Sequence, residues 1–132
     1  MPRIPIHSRD DRRLDVYRGL KTTNLTRGSG LFIAEGRRVV ERLLASELEV
    51  ASVLVSDERE ASIAARVPPE IHLYVLPISL ARELVGYNFH TGILACGRRP
   101  PSRELGELCG NRRRKLALAI CPNVNDPDNL GS

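Results

Sequence analysis

The side chains with the richest chemistry lie near the end of this chain. An apolar run of Leu116, Ala117, Leu118, Ala119, Ile120 and Cys121 is followed by Asn123, Asn125, Asp126, Pro127, Asp128, Asn129 and Gly131. The run has strand length and suits a strand covered on both faces, as in a parallel sheet. Ligands of open α/β sheets sit at the carboxyl ends of such strands. Asp126-Pro127 supplies an N-cap and a first-turn proline, which would turn backbone N–H groups toward a ligand there. The plain alternative is a turn built from Asn, Asp, Pro and Gly. A strand buried on both faces needs neighbours, so residues 116–132 read as the first strand and loop of a second, truncated domain.

Cations precede this segment. Arg112-Arg113-Arg114-Lys115 can contact several phosphates irrespective of sequence, or can form a solvated linker. Arg98 and Arg99 extend the same basic stretch and would set position on a nucleic acid rather than sequence choice. The net charge is +4, and 18 of the 20 basic residues are arginine. Positive charge is confined to residues 1–30, net +4, and 98–115, net +5, while residues 31–97 are net −3. Arginine carries the planar fork suited to phosphate and base edges, although a GC-rich genome gives the same bias. Arg12, Arg13, Arg37 and Arg38 lie off the apolar stripes of their helices, as RNA contacts or as solvated helix faces. Arg37 with Glu41 is an i, i+4 pair, which argues partly for a structural role.

Isolated groups are weaker candidates. Glu35 has no second carboxylate or histidine placed to make an acid/base pair, and reads as a structural residue complementing the dipole of the helix that follows. His90 either contacts RNA or ties down its own loop. His7 and His72 stand alone. Cys96, Cys109 and Cys121 form no CxxC pair and no metal-ligand spacing, which predicts reduced thiols, no metal and no disulfide framework.

The elements that must position these groups follow from the pattern. Apolar content of 42%, with no Trp, two Phe and three Tyr, predicts an aliphatic core in one modest domain plus a remnant. No apolar run spans a membrane and the start lacks a signal-peptide core, so the expectation is a cytoplasmic protein with no membrane partner. Residues 1–9 read as a disordered basic tail, with Pro2 and Pro5 opposing a helix. Asp10 and Asp11 cap a helix carrying Leu14 and Tyr17. A loop over 22–30 leads to a strand at 31–34, a turn at Gly36 and a helix to about Ser46 that buries Val39, Val40, Leu43 and Leu44. A strand at 50–55, a helix through Ala65 ended by Pro68-Pro69, a strand at 71–76, a helix ended by Gly86 and a strand at 93–96 complete the body. Strands alternating with amphipathic helices imply a small mixed-sheet α/β sandwich over 10–97, followed by a basic linker over 98–115 in which Leu105 and Leu108 dock one short helical turn.

Two stretches carry a family resemblance. Asp126-Pro127-Asp128-Asn129-Leu130-Gly131 resembles the first motif of the SpoU/TrmH family of SPOUT-class RNA 2′-O-ribose methyltransferases, in which Asp-Pro-x-Asn-x-Gly precedes an arginine. Leu31-Phe32-Ile33-Ala34-Glu35-Gly36 and Phe89-His90-Thr91-Gly92-Ile93-Leu94-Ala95 resemble the substrate-binding domain that precedes the knotted domain in many of these proteins. That domain is similar in fold to the kink-turn-binding ribosomal proteins.

The resemblance implies an RNA partner, rRNA or tRNA, and S-adenosylmethionine as cofactor of the full-length enzyme. In it, Asn123, Asp126, Pro127, Asn129 and Gly131 are the remnant of a motif beside the active site. The family arginine would fall just beyond Ser132, and the two later motifs that bind the methyl donor are absent, so the 132 residues are expected to bind no cofactor and to be inactive. Full-length family members dimerise through the missing domain, which makes a monomeric or weakly self-associating fragment the expectation. A stand-alone kink-turn-type RNA-binding protein and a non-enzymatic protein–protein adaptor are the alternative readings.

Overall fold

Consecutive apolar residues, rather than alternating ones, mark the centre of the sheet, because a strand with helices on both faces buries every side chain. The computed structural model describes residues 2–21, 28–110, 117 and 119–121. It divides the chain into two units, Met1–Pro100 and Pro101–Ser132. In the first unit, β1 (Arg3–Pro5), β2 (Leu31–Glu35), β3 (Val50–Ser56), β4 (His72–Leu76) and β5 (Ile93–Arg98) form one sheet. Its strand order is β1-β4-β3-β5-β2. β1 and β3 flank β4 in parallel, whereas β5 runs antiparallel to both β3 and β2. The sheet is therefore mixed, with β5 antiparallel to its neighbours, where alternation of strands and helices alone implies parallel pairing.

The period of two along each strand sorts the core into two layers. Leu54, Tyr74, Leu76, Leu94 and Cys96 face α3 (Ile78–Val85) and a short 3₁₀ helix at Arg12–Tyr17, which contributes Leu14 and Tyr17. Val53, Val55, Leu73, Val75, Ile93 and Ala95 face α1 (Arg37–Leu44) and α2 (Glu60–Ile63). Gly86 ends α3 at φ 81°, the left-handed C-terminal position that glycine adopts without penalty. The buried Tyr17 hydroxyl lies 2.7 Å from Ser52 Oγ and donates to Ser52 O at 3.0 Å, beside a bulge between Val50 and Ser52. Burial raises its pKa well above the ordinary phenol value.

Several expectations change. Residues 1–9 are not a disordered tail over their full length: Arg3–Pro5 is an edge strand, and Ile6 is 1% exposed. Pro2 O accepts from Leu73 N–H and Ile6 N–H donates to Val75 O, so the missing N–H of Pro5 falls on the unpaired side of the ladder. Arg3 also pairs with Glu60, Nη2 to Oε2 at 3.0 Å. The helix expected from Asp10 is only the 3₁₀ turn, capped by Asp11 as anticipated. The helix through Ala65 is broken into a 3₁₀ turn, α2 and a second 3₁₀ turn. Val39, expected on the buried face of α1, is 51% exposed.

β5 runs through Arg98, which thus belongs to the sheet rather than to a linker, and Arg99 just beyond it donates N–H to Gly30 O at 2.7 Å. In the second unit α4 (Leu105–Cys109) forms the short helical turn, and Leu105 on it is exposed. Ala117 and Ala119–Cys121 belong to no strand, since a strand exists only within a ladder and this unit shows no second one among its described residues. Arg112, Arg113, Arg114, Lys115, Asn123, Asp126, Pro127, Asn129 and Gly131 lie outside the described residues.

Candidate functional site

Three loops meet where β2 and β3 end and β5 begins. Gly36 N–H donates to Ile93 O at 2.9 Å, and Ser56 N–H donates to Gly92 O at 2.8 Å. These bonds bring the β2–α1 turn, the turn after β3 and residues 87–92 together. Gly92 adopts φ +67°, and a Cβ there would stand 2.7 Å from both Ser56 Oγ and Arg59 Cγ, so this close approach requires glycine. Phe89 is fully buried, whereas Asn88 and His90 on either side of it are exposed.

Glu35 closes the arrangement. Its Oε2 accepts from the Tyr87 hydroxyl at 2.9 Å and its Oε1 from the Thr91 hydroxyl at 3.0 Å. Partial burial, then donation to this carboxylate, raises the Tyr87 pKa well above its ordinary value. Glu35 is thus structural, as expected, but through hydroxyl partners from the 87–92 loop. His90 bonds within its own loop: its backbone N–H donates to Asn88 O at 2.9 Å, with Nδ1 3.3 Å from the same oxygen, and its side chain is exposed.

The other candidate residues do not converge. Arg37 and Arg38 open α1 beside Glu35. Arg37 is held by Glu41, Nε to Oε1 at 2.7 Å, and this bond lowers the Glu41 pKa. Arg38 makes no ion pair among the described residues. Arg98 and Arg99 sit at the far end of β5, four rungs or about 14 Å from the Glu35 pair. Arg98 Nε lies 3.2 Å from Glu49 Oε2, and the Arg99 guanidinium lies 5.9 Å above the Phe32 ring while Nε donates to Leu31 O at 3.2 Å. Arg12 and Arg13 lie on the 3₁₀ helix that covers the α3 face. Arg13 Nε donates to Asp11 Oδ1 at 2.9 Å, and bonds from Arg13 lower the Asp11 pKa to about 2.

Arg59 was absent from the sequence-based set. It is exposed, unpaired among the described residues, and packed against Gly92 at the His90 loop. No local spacing could reveal it, because the contact depends on β3 and β5 being neighbours. Among the described residues no group of three or more His, Cys, Asp or Glu side chains could hold a metal ion, and no helix is long and apolar enough to cross a membrane. What this end of the sheet offers is a fixed loop with an exposed imidazole and two free guanidiniums, Arg38 and Arg59, suited to phosphate and base edges.

No family model matches the chain. Curated proteins do match it. An uncharacterized tRNA/rRNA methyltransferase of Mycobacterium bovis is 31% identical over 128 residues, covering 93% of this chain and 43% of that protein. An uncharacterized tRNA/rRNA methyltransferase of Mycobacterium tuberculosis gives the same identity and coverage. The chain therefore spans less than half the length of these curated relatives. Among solved structures, the crystal structure of an RNA 2′-O ribose methyltransferase matches with a TM-score of 0.55 and 20% identity, over 98% of this chain and 48% of that one. This last likeness is one of fold.

Proposed function

As a member of the SpoU/TrmH family of RNA methyltransferases, the chain is one that we propose to be the RNA-recognition portion of an S-adenosylmethionine-dependent 2′-O-ribose methyltransferase acting on rRNA or tRNA. The observation that carries this reading is the 31% identity, along 93% of the chain, to proteins named tRNA/rRNA methyltransferases. The first unit is then a substrate-binding domain akin to the kink-turn-binding ribosomal proteins, and residues 116–132 begin the knotted catalytic domain.

In the whole enzyme S-adenosylmethionine supplies the methyl group that a ribose 2′-hydroxyl takes up. The first unit contributes binding and orientation: Arg38 and Arg59 meet phosphates, and the loop displays Asn88 and His90 to bases or riboses. Its groove beside α1 is lined by Glu41, Leu44, Ala45 and Arg66. Two of these are charged, with Arg66 Nε 3.2 Å from Glu41 Oε1, and none is aromatic, so the groove offers no ring to stack on an adenine. On this reading the 132 residues alone carry out no methyl transfer.

Fluorescence anisotropy of the full chain with bulk tRNA and, separately, rRNA tests the reading. Affinity should fall at least tenfold between about 50 and 200 mM salt, as phosphate contacts dictate. Weak, salt-independent association would favour a protein–protein adaptor instead. Methyl incorporation by the 132 residues would refute their inactivity.

A further inference from the structure

Glu35 ends an edge strand next to Arg37 and Arg38, yet it pairs with neither. Both of its carboxylate oxygens are taken by hydroxyls far away in sequence, Tyr87 at 2.9 Å and Thr91 at 3.0 Å. These donors bracket His90. The remaining fixed points of the loop are Phe89, which is 0% exposed, and Gly92, whose carbonyl accepts from Ser56 N–H. Tyr87, Phe89, Thr91 and Gly92 are thereby anchored, and the two residues left facing outward are Asn88 and His90. Arg38, three residues after Glu35, is exposed and makes no ion pair among the described residues, though Glu41 lies within electrostatic reach of it.

We propose that Glu35 is a positioning residue, a latch between β2 and the 87–92 loop that fixes His90 for contact with RNA. The inference rests on the RNA-binding reading above. A carboxylate is suited to the task because its two oxygens accept two bonds at once in opposite directions. Glu35 itself touches no substrate: its influence on RNA passes through His90. A latch that only stabilised the loop would leave affinity and His90 uncoupled, which gives the test its discriminating readout.

The full chain and its variants are titrated with bulk tRNA and with rRNA, and melting is followed by circular dichroism. Glu35→Ala and His90→Ala should each weaken binding about tenfold, and the double variant should be no weaker than either, since the two act as one unit. Glu35→Gln should bind within about twofold of the unaltered chain, because its amide oxygen accepts one hydroxyl bond and its amide N–H donates to the other hydroxyl. The Tm of Glu35→Ala should fall by no more than about 8 °C. Should Glu35→Ala fail to fold, Tyr87→Phe/Thr91→Val deletes the same two bonds and must reproduce the tenfold loss.

Independent losses that multiply to about a hundredfold in the double variant would overturn the proposal. So would unaltered affinity in Glu35→Ala or in His90→Ala, or a Gln variant as weak as Ala. If the unaltered chain binds neither RNA, the RNA-binding reading falls and takes this inference with it. If it binds and only the Glu35 variants behave like the unaltered chain, the inference alone falls.

Discussion

The two ends of the five-stranded sheet employ their polar side chains in opposite ways. At the Arg98 end, cations are consumed internally: Arg98 pairs with Glu49, and Arg99 bonds Leu31 O and lies over Phe32. The Tyr17 hydroxyl likewise satisfies Ser52 next to the bulge. At the Glu35 end a carboxylate binds hydroxyls, and Arg38, Arg59 and His90 remain exposed. The contrast teaches that the number of arginines on a surface does not tell how many of them are open to an external phosphate. A guanidinium already bonded to its own protein must break that bond before it meets a phosphate, whereas a free one need not.

Substitutions can break or sharpen this contrast. Phe89→Ala should have the largest effect, about 3–5 kcal/mol in denaturant unfolding, because it empties a fully buried site beneath the loop. Gly92→Ala should cost about 2–3 kcal/mol by the same assay, combining a left-handed backbone with the 2.7 Å approach to Ser56 and Arg59. At the other end, Tyr17→Phe should cost about 1–3 kcal/mol, since it strips Ser52 of its buried partner. Arg99→Ala should lower stability by about 1 kcal/mol through the lost contact with Phe32 and change RNA affinity less than Arg59→Ala does in the anisotropy assay.

The smallest effect concerns pH. The folded Asp11 carboxyl titrates at about 2, below its ordinary 3.8. Its contribution is therefore present above about pH 4 and lost as pH falls through about 2. In an acid-unfolding series Asp11→Asn should flatten that limb slightly, with the difference shrinking in high salt.

Much of the scaffold was legible because burial on both faces writes unbroken apolar runs. Val53, Leu54 and Val55, and Ile93 to Cys96, announce β3 and β5 in this way, and Gly86 announces the end of α3. β1 was hidden because Pro2 and Pro5 usually signal irregular chain. Only the one-sided pairing of an edge strand makes them compatible with a ladder. The 3₁₀ turn at Arg12–Tyr17 was mistaken for a longer helix because Leu14 and Tyr17 satisfy either period over so short a span.

The candidate site divides on sequence separation. The Arg37–Glu41 bond follows from helical spacing and was anticipated. Glu35 with Tyr87 and Thr91 and Arg59 with Gly92 join residues brought close by sheet order, and Arg98 with Glu49 joins side chains across neighbouring strands. None of these leaves a local signal. His90 stands out in the sequence as a lone histidine, but its exposure depends on neighbours whose partners lie on other elements.

Strand order also constrains how the chain can acquire its shape during synthesis. Among the described strands β2 pairs with β5 alone, yet β5 is made last of the five, after β3, β4 and all the intervening helices. Residues 31–35 must therefore emerge from the ribosome and wait, their backbone groups satisfied by water, until residues 93–98 arrive to slot between them and β3. A nascent chain stalled before that point would carry two open flanks, along β2 and β3, and would be vulnerable to self-association in a way the completed sheet is not.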